Sequence, residues 1–237
     1  LREKEKRMAT FVLVPGGWHG SWSFEAVVPL LERAGHAVHA LTLTGLRPGD
    51  DTATVAAANL DTHADDVLRL LDRAHITSAT LVGHSYGGMV IAAAADRADG
   101  RVSRLVHLDA YVPRHGESCW SLTTERYREA FAAGAASTGY AVRPPDGGDP
   151  RRRPHPLASF LQAIRLTGTP AQVRREFVYC SGWEDRTPFA ELRTRLRADP
   201  DWQVHDLPTR HDAMHEAPEA VAALLLGEGV ADASTCR

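Results

Sequence analysis

The chain predicts an α/β fold: a mainly parallel six-stranded sheet flanked by helices, with a helical cap inserted after the fourth strand. Three observations carry that expectation. Short β-rich runs recur along the chain, and several lack strict polar/apolar alternation, as strands buried on both faces do. Helical patterns lie between them, which implies parallel strands joined by crossovers and a functional site at the strand C-terminal ends. The alternation breaks only once, from Tyr111 to about Val173.

The strand candidates are FVLV (11–14), AVHALTL (37–43), ATLVG (79–83), RLVHLD (104–109), EFVYC (176–180) and WQVHDL (202–207). Leu60, Ala64, Val67, Leu68 and Leu71 share one helical face, with Asp65 and Arg69 four apart on the surface. Phe24, Val27, Val28 and Leu31 form a second face ahead of Gly35, although Pro29 conflicts with an uninterrupted helix. Pro218 can open the last helix and Gly227 can close it. The interruption contains VRPPDGGDPRRRPHP (142–156), dense in Pro, Gly and Arg, which reads as a mobile loop within a cap, its arginine run solvated. The expected organisation is therefore a core of 8–110 and 174–230, a cap of 111–173, and a disordered extension of 1–7 ahead of Met8.

Composition narrows the function. The 237 residues suit one domain with a substantial core. A formal charge of -3 with 24% charged residues gives no electrostatic argument for nucleic acid or an anionic membrane. Cys119, Cys180 and Cys236 are odd in number and widely spaced, unlike a disulfide framework or a zinc site, and read as reduced thiols of a cytoplasmic protein. The N-terminal apolar run, Phe11 to Val14, is too short for a signal peptide or a membrane span. The sequence gives no indication of oligomeric state.

Chemistry concentrates in LVGHSYGGMV (81–90). Gly83-His84-Ser85-Tyr86-Gly87 has the form G-x-S-x-G, follows a strand candidate and precedes the helical run MVIAAAAD. A serine on so sharp a turn needs small neighbours two residues away, and the turn lifts its hydroxyl clear of the sheet edge beside a helix N-terminus. A phosphate cradle is excluded by the absence of a Walker lysine and of G-x-G-x-x-G. A serine nucleophile needs a base, and in this order of elements the acid and the histidine follow it. His211 lies past the sixth strand and before the last helix, where a base is needed; His215 is its rival, and no third ligand accompanies the pair to make a metal site. VLVPGGWHGSW after the first strand can turn backbone N–H groups toward a substrate carbonyl, and Trp18, Trp22 and His19 are candidates for the pocket wall.

FVLVPGGWHGSW, LLERAGHAVHALTLTG, LVGHSYGGMV, VHLDAYVP and HDAM together resemble the α/β-hydrolase superfamily. The likeness is closest to its small-esterase branch, with plant methylsalicylate-type esterases, plant hydroxynitrile lyases and bacterial EstC-like or pyrethroid-type carboxylesterases. It spans most of Met8 to Leu226 and is weak across the cap. The resemblance implies Ser85 as nucleophile, His211 as general base, Gly17 and Tyr86 as donors of oxyanion N–H groups, and an acid near Trp183-Glu184-Asp185. Asp185 is the favoured acid; Glu184 and Asp109, at the end of the fourth strand, are the alternatives. The lyases carry a hydroxyl-bearing residue and a lysine where this chain has Gly16 and Asp212, which favours hydrolysis. Pro15 stands where relatives commonly have histidine.

The expected activity is cofactor-free hydrolysis of a moderately hydrophobic small ester or lactone through an acyl-enzyme, with Trp18, Tyr111 and Trp120 at the substrate. Two other readings remain: the same constellation used for elimination, cyclisation or acyl transfer, and a ligand-binding protein without turnover.

Overall fold

The computed structural model describes residues 8–168, 172–183 and 187–228. The extension 1–7 and Cys236 lie outside them. Among the described residues eight strands occur in chain order: β1 (Thr10–Val14), β2 (Ala37–Ala40), β3 (Ala79–His84), β4 (Val102–Leu108), β5 (Ala141–Val142), β6 (His155–Pro156), β7 (Arg174–Cys180) and β8 (Trp202–Leu207). Six of them form one sheet in the order β2-β1-β3-β4-β7-β8, and every pairing is parallel. All six strand candidates are therefore present.

Ten α-helical segments accompany them among the described residues: α1 (Val28–Arg33), α2 (Thr52–Ala57), α3 (Leu60–Arg73), α4 (Gly87–Asp96), α5 (Cys119–Leu122), α6 (Glu125–Ala135), α7 (Leu157–Leu161), α8 (Ala190–Arg197), α9 (Ala213–Glu216) and α10 (Pro218–Leu226). Strand side chains alternate between two apolar layers. Val12, Val14 and Leu81 face the layer that holds Leu60, Val67 and Leu71 of α3 and Met89 and Val90 of α4. Phe11, Leu13 and Val82 face the opposite layer, with Leu31 of α1 and Val221 and Leu225 of α10. Both faces of the sheet are covered, which is why these strands tolerate near-continuous apolar runs.

Two boundaries differ from the sequence expectation, each for a local reason. β2 ends at Ala40. Although Leu41 N–H still reaches Leu13 O at 3.0 Å, Thr42 Oγ1 accepts from Ser21 N–H at 2.9 Å and Thr44 donates to the buried Asp66 carboxylate at 2.7 and 2.9 Å. Side-chain hydrogen bonding thus replaces the ladder. The second helix candidate splits into a 3-10 turn at Ser21–Phe24 and α1, whose first turn contains Pro29, where a missing N–H costs nothing. Pro218 and Gly227 do open and close α10, and Gly227 is left-handed at φ 75°.

Between β4 and β7 the chain runs through α5, α6, the two-residue antiparallel β5/β6 ladder and α7. The arginine run within this stretch is engaged with the rest of the molecule. Arg151 forks onto Glu25 at 2.8 and 2.9 Å, bonds Asp149 and lies 4.5 Å over the Trp22 ring, while Arg153 N–H donates to Trp18 O at 3.0 Å. No described helix is long and apolar enough to cross a membrane.

Candidate active site

Ser85 sits between β3 and α4 with φ +52°, a left-handed conformation that few non-glycine residues adopt. The surrounding backbone over-determines it. Ser85 C=O accepts from Gly88 N–H at 3.1 Å and from Tyr111 N–H at 3.2 Å. The flanking glycines are sterically required: a Cβ on Gly83 would lie 2.5 Å from Gly87 O, and one on Gly87 would lie 2.5 Å from Val14 O. The strand, the turn and the helix approach closely enough that only hydrogen fits, and the serine is left at the N-terminal end of α4.

His211 lies on the loop between β8 and α9, and its Nδ1–H donates to Asp109 Oδ2 at 2.8 Å. Asp109 follows β4 and is fully buried. Its φ of +44° turns the side chain off the strand end. Its other partners are donors too: Cys180 N–H to Oδ1 at 3.1 Å and Trp183 Nε1–H to Oδ2 at 3.0 Å. The carboxylate held against His211 is thus the fourth-strand alternative. Asp185, the acid favoured from sequence, and Glu184 lie outside the described residues.

The imidazole is also fixed from both sides. The His84 and Trp183 rings each pack at 4.5 Å from it, and His84 Nε2–H donates to His211 C=O at 3.0 Å. With Nδ1 committed to Asp109, the neutral ring carries its lone pair on Nε2, the form a general base needs. His215 is exposed on α9 and lines an outer groove instead. Among the described residues no three His, Cys, Asp or Glu side chains gather as a metal site requires.

Two neutral histidines brace the side of the cavity lined by Gly17 and Tyr86. Trp18, at φ +67°, gives its backbone N–H to His155 Nδ1 at 3.1 Å; His155 Nε2–H then donates to Ser159 Oγ at 2.9 Å. The Tyr86 hydroxyl donates to His63 Nδ1 at 2.8 Å, and His63 Nε2–H donates to Thr44 O at 2.9 Å. Gly17 and Tyr86 both line the cavity that Ser85 lines.

The buried histidines, among them His107, whose Nδ1–H donates to Tyr111 O at 2.9 Å, carry a pH signature. Burial strips water from His63 and His107 and lowers both to about 4, and it holds His84 and His155 well below the ordinary value of 6.5 as well. Above pH 6.5 folded and unfolded chains are both neutral at these sites. Below it the unfolded chain binds protons that the folded one refuses, so stability falls with pH. At about 1.4 kcal/mol per pH unit, His63 and His107 together forfeit on the order of 6 kcal/mol by pH 4, comparable to the whole stability of a typical domain. Thermal unfolding followed from pH 7.5 to 4.5 should show a steep decline in Tm beginning near pH 6.5; a flat profile would show that the folded chain takes up these protons as readily as the unfolded one.

Ser85, His211, Gly17, Tyr86, Trp18 and Tyr111 line one cavity of about 210 Å³. Its walls also include Tyr127 and Phe131 of α6, Phe160 of α7, and Trp183 and Phe189, none of which carries a sequence signal for substrate contact. Trp120 does not line it. The single turn of α5 directs Cys119 inward, and Trp120, one residue on, packs against the apolar core. Trp22 lines the outer groove, and His19 lines both spaces.

Comparison with known proteins identifies the family. The family model described as alpha/beta hydrolase fold matches residues 9–147. The carbendazim hydrolyzing esterase of Nocardioides sp. (strain SG-4G) is 33% identical over 94% of this chain and 100% of its own length. Salicylic acid-binding protein 2 of Nicotiana tabacum is 37% identical over 52% of this chain and 47% of its own. Among solved structures, an extracellular α/β-hydrolase from a Paenibacillus species superposes with a TM-score of 0.80 at 18% identity, covering 93% of this chain and 99% of that one. A pyrethroid hydrolase from Sphingobium faniae JZ-2 superposes with a TM-score of 0.73 at 22% identity, over 93% and 97%. With a G-x-S-x-G serine on a strained strand-to-helix turn and a histidine held by a buried carboxylate at the ends of the same parallel sheet, the chain belongs to the α/β-hydrolase family, on its small-esterase branch.

Proposed function

We propose that this protein is a carboxylic-ester hydrolase that works through an acyl-enzyme, with Ser85 as nucleophile, His211 as general base and acid, and Asp109 as the orienting carboxylate. The observation that carries the reading is the Asp109–His211 hydrogen bond of 2.8 Å beside a serine at φ +52° on the same cavity. His211 Nε2 takes the Ser85 proton as Oγ attacks the carbonyl. Asp109 steadies the imidazolium that results, and the Gly17 and Tyr86 N–H groups receive the charge on the carbonyl oxygen. The imidazolium gives its proton to the departing alkoxide, and the neutral imidazole so restored then deprotonates the water that attacks the acyl-enzyme and releases the acid.

The segment 111–173 acts as a cap that selects substrate, because Tyr127, Phe131 and Phe160 supply much of the apolar wall. An ester or lactone with a moderately hydrophobic body suits that wall. The relatives act on carbendazim and, by their names, on methyl esters and pyrethroids, which points to small neutral ester groups as the reacting centre. Buried, unpaired Cys119 and Cys180 favour a reducing compartment such as the cytoplasm.

Incubation with p-nitrophenyl esters and with a serine-directed fluorophosphonate tests the proposal. Turnover together with labelling at Ser85 is the expected result. Labelling without hydrolysis of any ester would replace hydrolysis with a non-hydrolytic use of the serine, and absence of both would leave a binding protein.

A further inference from the structure

Two charged side chains, Arg152 and Asp212, are foreign to the apolar character of the cavity. Arg152 lines both the space above Ser85 and the outer groove beyond it, and among the described residues it is the only lysine or arginine in the inner cavity. It is half-buried. Its neighbour Arg151 is neutralised by Glu25 and Asp149, but the hydrogen bonds of Arg152 go to backbone carbonyls: Nη2–H to Pro145 O at 2.9 Å and Nε–H to Asp149 O at 3.4 Å. Carbonyls satisfy donors without cancelling charge. A guanidinium has five N–H groups, so these two bonds leave three for a ligand.

The loop is built around this group. Gly148 adopts φ +79°, and a Cβ there would lie 2.6 Å from Arg152 Nη2. The chain from Pro145 to Asp149 therefore wraps the guanidinium closely and holds one edge of it. A planar donor held in this way meets a carboxylate with two parallel hydrogen bonds, with little ordering left to lose on binding.

We propose that Arg152 is a specificity residue and that the preferred substrates are esters bearing a second, anionic group, a carboxylate at the far end of an apolar body. This rests on the hydrolase reading above: the ester carbonyl sits at Ser85, the body lies against Trp18, Phe131 and Phe160, and the free carboxylate reaches Arg152 at the mouth. Asp212 lines the same mouth. The outer groove adds Asp149, Glu216 and Arg210, so the long-range field there does not favour an anion, and selection comes from direct contact with the guanidinium. Asp212 works against it.

The test uses two matched pairs of substrates: monomethyl suberate against methyl octanoate, which puts the charge on the acyl side, and 4-carboxyphenyl butyrate against phenyl butyrate, which puts it on the alcohol side. In at least one pair, kcat/KM for the charged ester should exceed that of its neutral partner by about tenfold, the value of a charge-assisted hydrogen bond at its lower end. Arg152→Gln should bring that ratio down about tenfold and Arg152→Lys should restore part of it. Asp212→Asn should move the ratio upward.

Equilibrium binding of the same four esters to Ser85→Ala protein, read by calorimetry, measures the preference without turnover. If the charged ester binds more tightly there and binding weakens on adding Arg152→Gln, the Arg152 assignment stands even where no ester is hydrolysed and the hydrolase reading has failed. Tighter binding of the neutral ester in both pairs overturns it. So does a ratio that Arg152→Gln leaves unmoved.

Discussion

Replacing Ser85 with alanine is expected to lower kcat for ester hydrolysis by about 10⁶, the scale on which a nucleophile that acts as one unit with its base is lost. Labelling by a fluorophosphonate should vanish with it. The fold should survive, because what secures position 85 is backbone: its C=O holds the N–H groups of Gly88 and Tyr111 at 3.1 and 3.2 Å, and its N–H points to Leu108 O. Alanine keeps all three. It also bears the left-handed φ of +52° at a cost similar to that of serine, so Tm should stay close to wild type. A variant that kept a tenth of the activity would remove Ser85 from the chemistry, since no other change at the site follows from deleting one hydroxyl.

Ser85 and His211 were legible in the sequence because their positions follow from constraints that leave few alternatives. Glycines two residues either side of a serine, between an apolar run and a helix, have a steric meaning, and the structure shows it in the 2.5 Å approaches at Gly83 and Gly87. His211 follows from element order, which leaves His215 as its rival, together with the family resemblance. The acid does not. Asp109, Glu184 and Asp185 all follow closely on strand candidates in the sequence, and the contact made by Asp109 depends on a positive φ at that residue and on a tryptophan 74 positions away, neither of which has a periodic signature.

The cavity wall was less legible still. Phe131 and Phe160 meet with ring centroids 4.5 Å apart, but they come from separate short helices of a segment that departs from strand–helix alternation. α5 spans only four residues, too few for a periodicity that would have told Cys119 from Trp120. Arg151, Arg152 and Arg153 read as one solvated run in the sequence, whereas in the fold each has a different task, which only the tertiary position of Glu25, Gly148 and Trp18 distinguishes.

The second large effect belongs to Asp109. Asp109→Asn is expected to lower kcat by about 10⁴, and the reason lies in the inventory of its partners. Both carboxylate oxygens accept: Oδ1 from Cys180 N–H, Oδ2 from Trp183 Nε1–H and from His211 Nδ1–H. An asparagine has a single accepting oxygen. If its amide nitrogen faces His211, the imidazole must accept at Nδ1 and carry its proton on Nε2, so it can no longer take one from Ser85. If the nitrogen faces Cys180 instead, two donors meet in a fully buried place, and the charge that stabilised the imidazolium is still gone. The buried mismatch costs about 1–3 kcal/mol, a drop of several degrees in Tm for a chain of this size, which leaves the protein folded at 25 °C. Loss of kcat in folded protein therefore reports the proton relay and not unfolding. Trp183→Phe keeps the ring against His211 and removes one donor to Oδ2, and its fall in kcat should be much smaller. Asp185→Asn, measured beside these variants, should stay far closer to wild type; a larger fall there than at Asp109, at equal Tm, would move the acid to the loop after β7.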